Sequence, residues 1–250
     1  MMICPFSPPH LIPNSRTEVI YRVSSYSPFP FIQNPIHLKY LNNFMNQEQI
    51  LRWLQRFATT IDKNKEYLTQ LDAAIGDADH GINMERGLKK LQAQLPALED
   101  KDIGTTLKSA SMTLISSIGG ASGPLYGTFF LRASAAIAGK HELDEHDMLT
   151  LLQAGLQGIV ERGKTQLGDK TMVDALYPAV LAFAQAVQDG KLMQEAMQLT
   201  VAACEQGMIS TKAMQAKKGR ASYLGDRSIG HQDPGATSLY LMLKSLYESV

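Results

Sequence analysis

The chain has 250 residues, 44% of them apolar, which is enough for one large domain with a substantial buried core. Its 24 Lys and Arg balance 24 Asp and Glu, so no global field draws it to nucleic acid or to an anionic membrane. Cys4 and Cys204 stand far apart without metal-type spacing, which fits a reducing, cytoplasmic compartment and no disulfide framework.

Residues 1–44 hold seven of the eleven prolines and keep neither a helical nor a strand period. They lack the basic start, apolar stretch and cleavage pattern of a signal peptide, so an irregular leader upstream of a start at Met45 is expected, with a docking extension as the alternative. From Asn46 the pattern turns helical. Asn46 and Gln49 have capping-box spacing, and Ile50, Trp53, Leu54, Phe57 and Ile61 share one face. Tyr67, Leu68, Leu71 and Ile75 continue that face as far as Gly76, so Asp72 is expected in the last turn of a long helix, with Asp77 and Asp79 in the loop beyond it.

Helical spacing returns at Leu107–Ile118, at Phe129–Ile137 and at Met148–Ile159, the last with Asp144 or Asp147 as its cap. Leu176–Val187 follows, with Pro178 expected in a first turn or at a kink, and then Met193–Cys204 and Leu239–Val250. The uncharged run from Ser109 to Leu131 has the length of a membrane span, but Gly119, Gly120, Gly123, Pro124 and Gly127 break it into helix, loop and helix. No alternating strand is evident, so residues 45–250 are expected to form one all-α bundle of about eight helices.

The chemistry concentrates between Leu71 and Asn83. Asp72, Asp77 and Asp79 fall within eight residues that contain no Lys or Arg. Carboxylates so crowded repel one another, and oxygen ligands of this kind suit a hard cation such as Mg²⁺; a helix cap and solvated turn is the bland alternative. The loop is not an EF-hand, because Gly81 already occupies the fifth position counted from Asp77. In Gly119–Pro124 the glycines let backbone approach a ligand and Pro124 suits a first helical turn, which points to phosphate, although a close-packed helix corner has the same pattern.

Gly158–Thr165 matches Gly-x4-Gly-Lys-Thr, yet it starts inside a helical pattern with no preceding strand and is read as a chance match. Arg220, with Lys212, Lys217 and Lys218 nearby, is a candidate to clamp a phosphate, with a solvated basic face as the bland alternative. There is no triad spacing and no His or Cys metal cluster, and aromatic residues do not interleave with basic ones.

Taken together, Gly76–Gly81, Gly119–Pro124, Gly168–Met172, Lys218–Gly225 and Gly230–Gly235 resemble the L-subunit family of dihydroxyacetone kinases, the ADP-binding subunit of the phosphoenolpyruvate-dependent enzymes, from about Met45 onward. The resemblance implies one barrel of antiparallel helices with nucleotide and Mg²⁺ held in loops at one end. It makes Asp72, Asp77 and Asp79 metal ligands. It lays His80, Asn83, Ala121, Ser122 and Gly123 along the phosphates, counts Gly81 and Ile82 among the residues that bind the cofactor, and completes the pocket with Gly163, Thr171, Met172, Arg220, Asp233, Pro234 and Gly235. Ala73 and Ala74 stand where some relatives carry charged residues.

The same resemblance implies a retained ADP that passes through ATP. A phosphohistidine M subunit phosphorylates it, and a K subunit carries the dihydroxyacetone that receives the phosphoryl group. No catalytic residue is implied beyond the metal and nucleotide ligands. A stand-alone subunit using exchangeable ATP on a related small ketose, and a nucleotide sensor acting on a transcription regulator, are the alternatives.

Overall fold

The computed structural model describes residues 44–250, and the expectation for the preceding leader lies, Phe44 aside, outside them. Helix α1 (Gln47–Ile75) starts at the capping box: Asn46 Oδ1 accepts from the Gln49 amide at 3.0 Å, and Gln49 Oε1 accepts from the Asn46 amide at 2.9 Å. It ends at Gly76, with Asp72 in its last turn. Seven more helices follow among the described residues: α2 (His80–Gln94), α3 (Ile103–Ser117), α4 (Ser122–Ala136), α5 (Glu145–Gly163), α6 (Met172–Gln188), α7 (Met193–Ser210) and α8 (Pro234–Tyr247).

Each helix packs on its successor and α8 returns to α1, so the bundle closes into a ring. The connections, short except for residues 211–233 between α7 and α8, reverse the chain at every step. The loops after α1, α3, α5 and α7 therefore gather at one end, and those after α2, α4 and α6 at the other. At this second end β1 (Met45–Asn46) pairs antiparallel with β2 (Glu142–Leu143), a two-residue exception to the expected absence of strands.

Inside the ring the core is aromatic and aliphatic. Trp53 of α1 packs on Phe130 of α4 with centroids 5.6 Å apart, and its indole N–H donates to the Met242 carbonyl of α8 at 3.1 Å. That one side chain ties three helices together, and its truncation to Ala would cost ~3–5 kcal/mol. No described helix is long and apolar enough to cross a membrane.

Two local expectations need correction. The spacing gave no helix for residues 80–94, yet α2 occupies them. Its apolar stripe of Met84, Leu88 and Leu91 is short and diluted by glycines, which serve packing here. A methyl group on Gly81 would collide with the Lys65 carbonyl of α1, and one on Gly87 with Ile118. Pro178 lies inside α6, which excludes the first-turn half of its expectation. The proline ring removes the N–H that would have bonded the Asp174 carbonyl, and the backbone of Gly207 in α7 comes close to that carbonyl.

Candidate functional site

The four loops at the first end surround a cavity of about 660 Å³. Its size lies within the usual range for a small-molecule pocket, roughly 300–1,000 Å³. Helices α2, α4, α6 and α8 all begin at this end, and His80, Ser122, Met172 and Pro234, their first residues, line the cavity. Four helix N-termini thus direct partial positive charge and amide donors toward one space, which favours a polyanion.

Against that positive rim stand three carboxylates. One oxygen from each of Asp72, Asp77 and Asp79 lies within 4.8 Å of the others. Asp72 is buried, and its Oδ2 accepts from the amides of Asp79 at 2.8 Å and His80 at 3.1 Å, which fixes the turn that presents the other two. Ala78 takes the left-handed conformation, φ 62°, inside that turn. The donor set, all carboxylate oxygen, fits a hard divalent cation.

The local sequence leaves the trio without a cation, but the fold brings one from 143 positions away: Arg220 Nη2 sits 2.9 Å from Asp77 Oδ2. Arg220 belongs to a 3₁₀ segment, Arg220–Ser228, in the loop before α8.

His80 is fully engaged. Its Nε2 is 2.9 Å from Ser238 Oγ and its Nδ1 is 3.1 Å from Ser122 Oγ, while Ser238 Oγ also meets Tyr126 Oη at 2.8 Å. Burial pushes the imidazole pKa below its ordinary value despite the pull of Asp72 and Asp79, so the neutral ring laces the starts of α2, α4 and α8 together. Helix α4, by contrast, has Ala121 at its N-cap and so no side-chain cap. Its first amides, preceded by Gly119 and the left-handed Gly120 (φ 63°), face the cavity without an internal acceptor from a cap and form the cradle best suited to phosphate oxygens.

The wall opposite is built by the α5–α6 loop. Gly163 ends α5, Lys164 turns it off in the left-handed conformation, and the Gly158–Thr165 match starts inside that helix rather than directly after a strand, so its rejection as a P-loop stands. Thr171 caps α6 in a reciprocal box with Asp174, whose carboxylate accepts from the Thr171 amide and also from that of Gly168. Asp233 caps α8 by accepting from the Ala236 amide at 2.7 Å. Burial pushes its pKa up to about 7, against the Ala236 amide and Lys170 and with Asp174 and Asp72.

Of the residues singled out in the sequence, the cavity is lined by Asp72, Asp77, Asp79, His80, Asn83, Ala121, Ser122, Gly163, Thr171, Met172, Arg220, Asp233, Pro234 and Gly235. Gly81, Ile82 and Gly123 are not among the lining residues. Gly81 packs on α1, Gly123 packs on the Ile118 carbonyl, and the Ile82 side chain is exposed. Sequence reasoning missed Lys170, Arg162, Ile159 and Leu125, which also line the cavity. Arg162 and Ile159 lie in the dismissed P-loop match, and only their helical register, one turn apart, marks them as neighbours.

Comparison with known proteins decides the family. A DAK2 domain matches residues 74–248. The chain belongs to the DAK2 domain family. Among its relatives is the ADP-binding subunit DhaL of the PEP-dependent dihydroxyacetone kinase of Escherichia coli (strain K12), 48% identical over 202 residues that cover 81% of this chain and 96% of that protein. The corresponding subunit of the PTS-dependent enzyme of Lactococcus lactis subsp. lactis (strain IL1403) is 41% identical over 200 residues, covering 80% and 96%. The dihydroxyacetone kinase of C. freundii in its native form shares the fold, with a TM-score of 0.64 at 22% identity; the match covers 94% of this DAK2 chain but 39% of that one.

Proposed function

We propose that this DAK2 protein is the ADP-binding subunit of a phosphoenolpyruvate-dependent dihydroxyacetone kinase. In this reading it holds ADP with Mg²⁺ in the loop-end cavity, a separate K subunit carries dihydroxyacetone, and a phosphohistidine M subunit supplies the phosphoryl group. A cytoplasmic location belongs to the same proposal. One observation carries it: four helix N-termini and three carboxylates face the same cavity, the pairing that a nucleotide polyphosphate with a divalent cation requires. The near-complete coverage of the relatives named ADP-binding subunits supports it further.

When bound, Mg²⁺ neutralises charge on the phosphates, and ADP carries the phosphoryl group from one partner to the other. The work left to this chain is positioning. Asp72, Asp77 and Asp79 would hold the metal, and the uncapped start of α4 would take phosphate oxygens on its amides. Arg220, now paired with Asp77, would be available to the phosphates, where a guanidinium would stabilise developing negative charge. Gly163, Met172 and Pro234 would border the nucleoside.

The deciding experiment is to purify the chain without added ligand, denature it and identify what it releases. ADP is the expected product, and the refolded or native chain should turn over dihydroxyacetone only with K and M partners present. An empty protein that exchanges ATP freely, or turnover without an M subunit, would overturn the reading.

A further inference from the structure

Lys170 is among the least exposed residues of the protein, with 1% of its surface accessible, and its backbone takes the left-handed conformation, φ 60°. A non-glycine residue held there is strained and needs a surrounding reason. The reason lies at the end of the side chain. Its Nζ donates to four backbone carbonyls: Thr211 at 2.8 Å, Met214 at 3.1 Å, Ser228 at 2.7 Å and His231 at 2.6 Å. An ammonium has three protons, so one must be shared; a neutral amine would have at most two and would turn a lone pair toward carbonyl oxygens. The cage therefore requires the charged form.

All four carbonyls belong to residues 211–231, which carry the wall Lys218–Ala221 of the cavity. That segment has little core of its own, since among its residues only Thr211, Ala216 and Ser228 are buried. Its described hydrogen bonds to the α5–α6 loop are those to Lys170 and one from the Lys217 amide to the Asp169 carbonyl. We propose that Lys170 is a positioning residue: its ammonium gathers the four inward-turned carbonyls and so sets the Lys218–Ala221 wall against Thr171 and Met172, with Arg220 aimed at the carboxylates. This rests on the cavity being the nucleotide site, but the ordering of the wall precedes any ligand.

The test compares the wild-type chain with Lys170→Ala and Lys170→Met by two rates. One is ADP dissociation in Mg²⁺; the other, without nucleotide, is tryptic cleavage at Lys212, Lys217, Lys218, Arg220 or Arg227. Both variants should keep a cooperative unfolding transition and speed both rates roughly tenfold or more, the scale of a lost set of charge-assisted hydrogen bonds. Propylammonium, which replaces the missing chain end, should reverse most of the change in Lys170→Ala but not in Lys170→Met, and tetramethylammonium, without N–H donors, should reverse neither. Unchanged rates, or faster rates that propylammonium fails to slow in Lys170→Ala, would overturn the proposal, the second because lost packing would then be the cause. If Lys170→Ala does not fold, the two rates of Lys170→Met decide; if neither folds, Lys170 holds the whole protein rather than one wall and the proposal falls. A wild-type chain that binds no ADP would sink the nucleotide reading, while the tryptic rates would still judge Lys170.

Discussion

Arg220 and Asp77 form an ion pair, Nη2 to Oδ2 at 2.9 Å, that joins the loop after α1 to the loop before α8 across 143 positions of sequence. Both side chains are substantially exposed, so the pair contributes only ~0–1 kcal/mol to folding. Its meaning is electrostatic, because the guanidinium offsets one of three crowded carboxylates until a cation and a phosphate divide the two partners between them.

Arg220→Ala should therefore separate two affinities. Nucleotide binding in Mg²⁺ should weaken by ~10–100-fold, since a charge-assisted contact to phosphate is lost. Binding of Mn²⁺ alone should stay equal or tighten, since a competing cation is gone. Calorimetry with each ligand checks the signs, and a parallel loss of both affinities would contradict the arrangement.

Asp77→Asn and Asp72→Asn should also differ. Asp77 touches no backbone donor among the described hydrogen bonds, so its substitution should remove the Mg²⁺ dependence of ADP retention and leave the melting temperature nearly unchanged. Asp72 accepts from two amides with one oxygen, so Asp72→Asn should lose metal and also ~1–3 kcal/mol of stability. Chelation of wild type should mimic Asp77→Asn in a nucleotide-release assay.

Two glycines give opposite expectations. Gly81→Ala drives a methyl into the Lys65 carbonyl and Thr69 Oγ1, fixed parts of α1, and should cost several kcal/mol, about the scale of severe overpacking. Gly120→Ala meets nothing within 4 Å and suffers only from its positive φ, so ~1 kcal/mol is expected. Urea unfolding of the two variants checks the contrast.

Asp233 supplies a pH signature. Its carboxyl pKa is raised in the folded chain, to about 7 from an ordinary value near 3.8, so the folded state holds a proton that the unfolded state has released. The stabilisation from that proton is complete below about pH 4 and disappears as pH rises through about 7. The wild-type urea midpoint, measured without nucleotide, should therefore fall relative to Asp233→Asn between pH 5 and about 8. Parallel profiles would show that the group titrates normally.

Much of the fold can be read from the chain because most helices carry a clean periodic stripe and a capping signal. Asn46 with Gln49, and Asp144, cap the helices where the spacing places them. Helix α2 was hidden because close packing against α1 and Ile118 requires Gly81 and Gly87 in its stripe, and glycine weakens the helical signal as it permits the contact. The three aspartates fall within eight residues and so announce themselves, whereas their counter-charge does not: Arg220 reaches Asp77 only because the ring of eight helices closes. Lys170 is the clearest case of concealment. Its partners are main-chain carbonyls, which carry no sequence identity, so nothing short of the folded backbone distinguishes it from an ordinary surface lysine.

The protein has one tryptophan, and it is Trp53, sealed in the core with its indole N–H bonded to Met242. Its emission is consequently that of a dry, rigid indole, and it lies in the body of the ring, not among the four loops. Fluorescence from this chain is thus a built-in gauge of global unfolding that hardly registers ligand arriving at the loop end, and a titration by intrinsic fluorescence that shows no change is no sign that the site is idle.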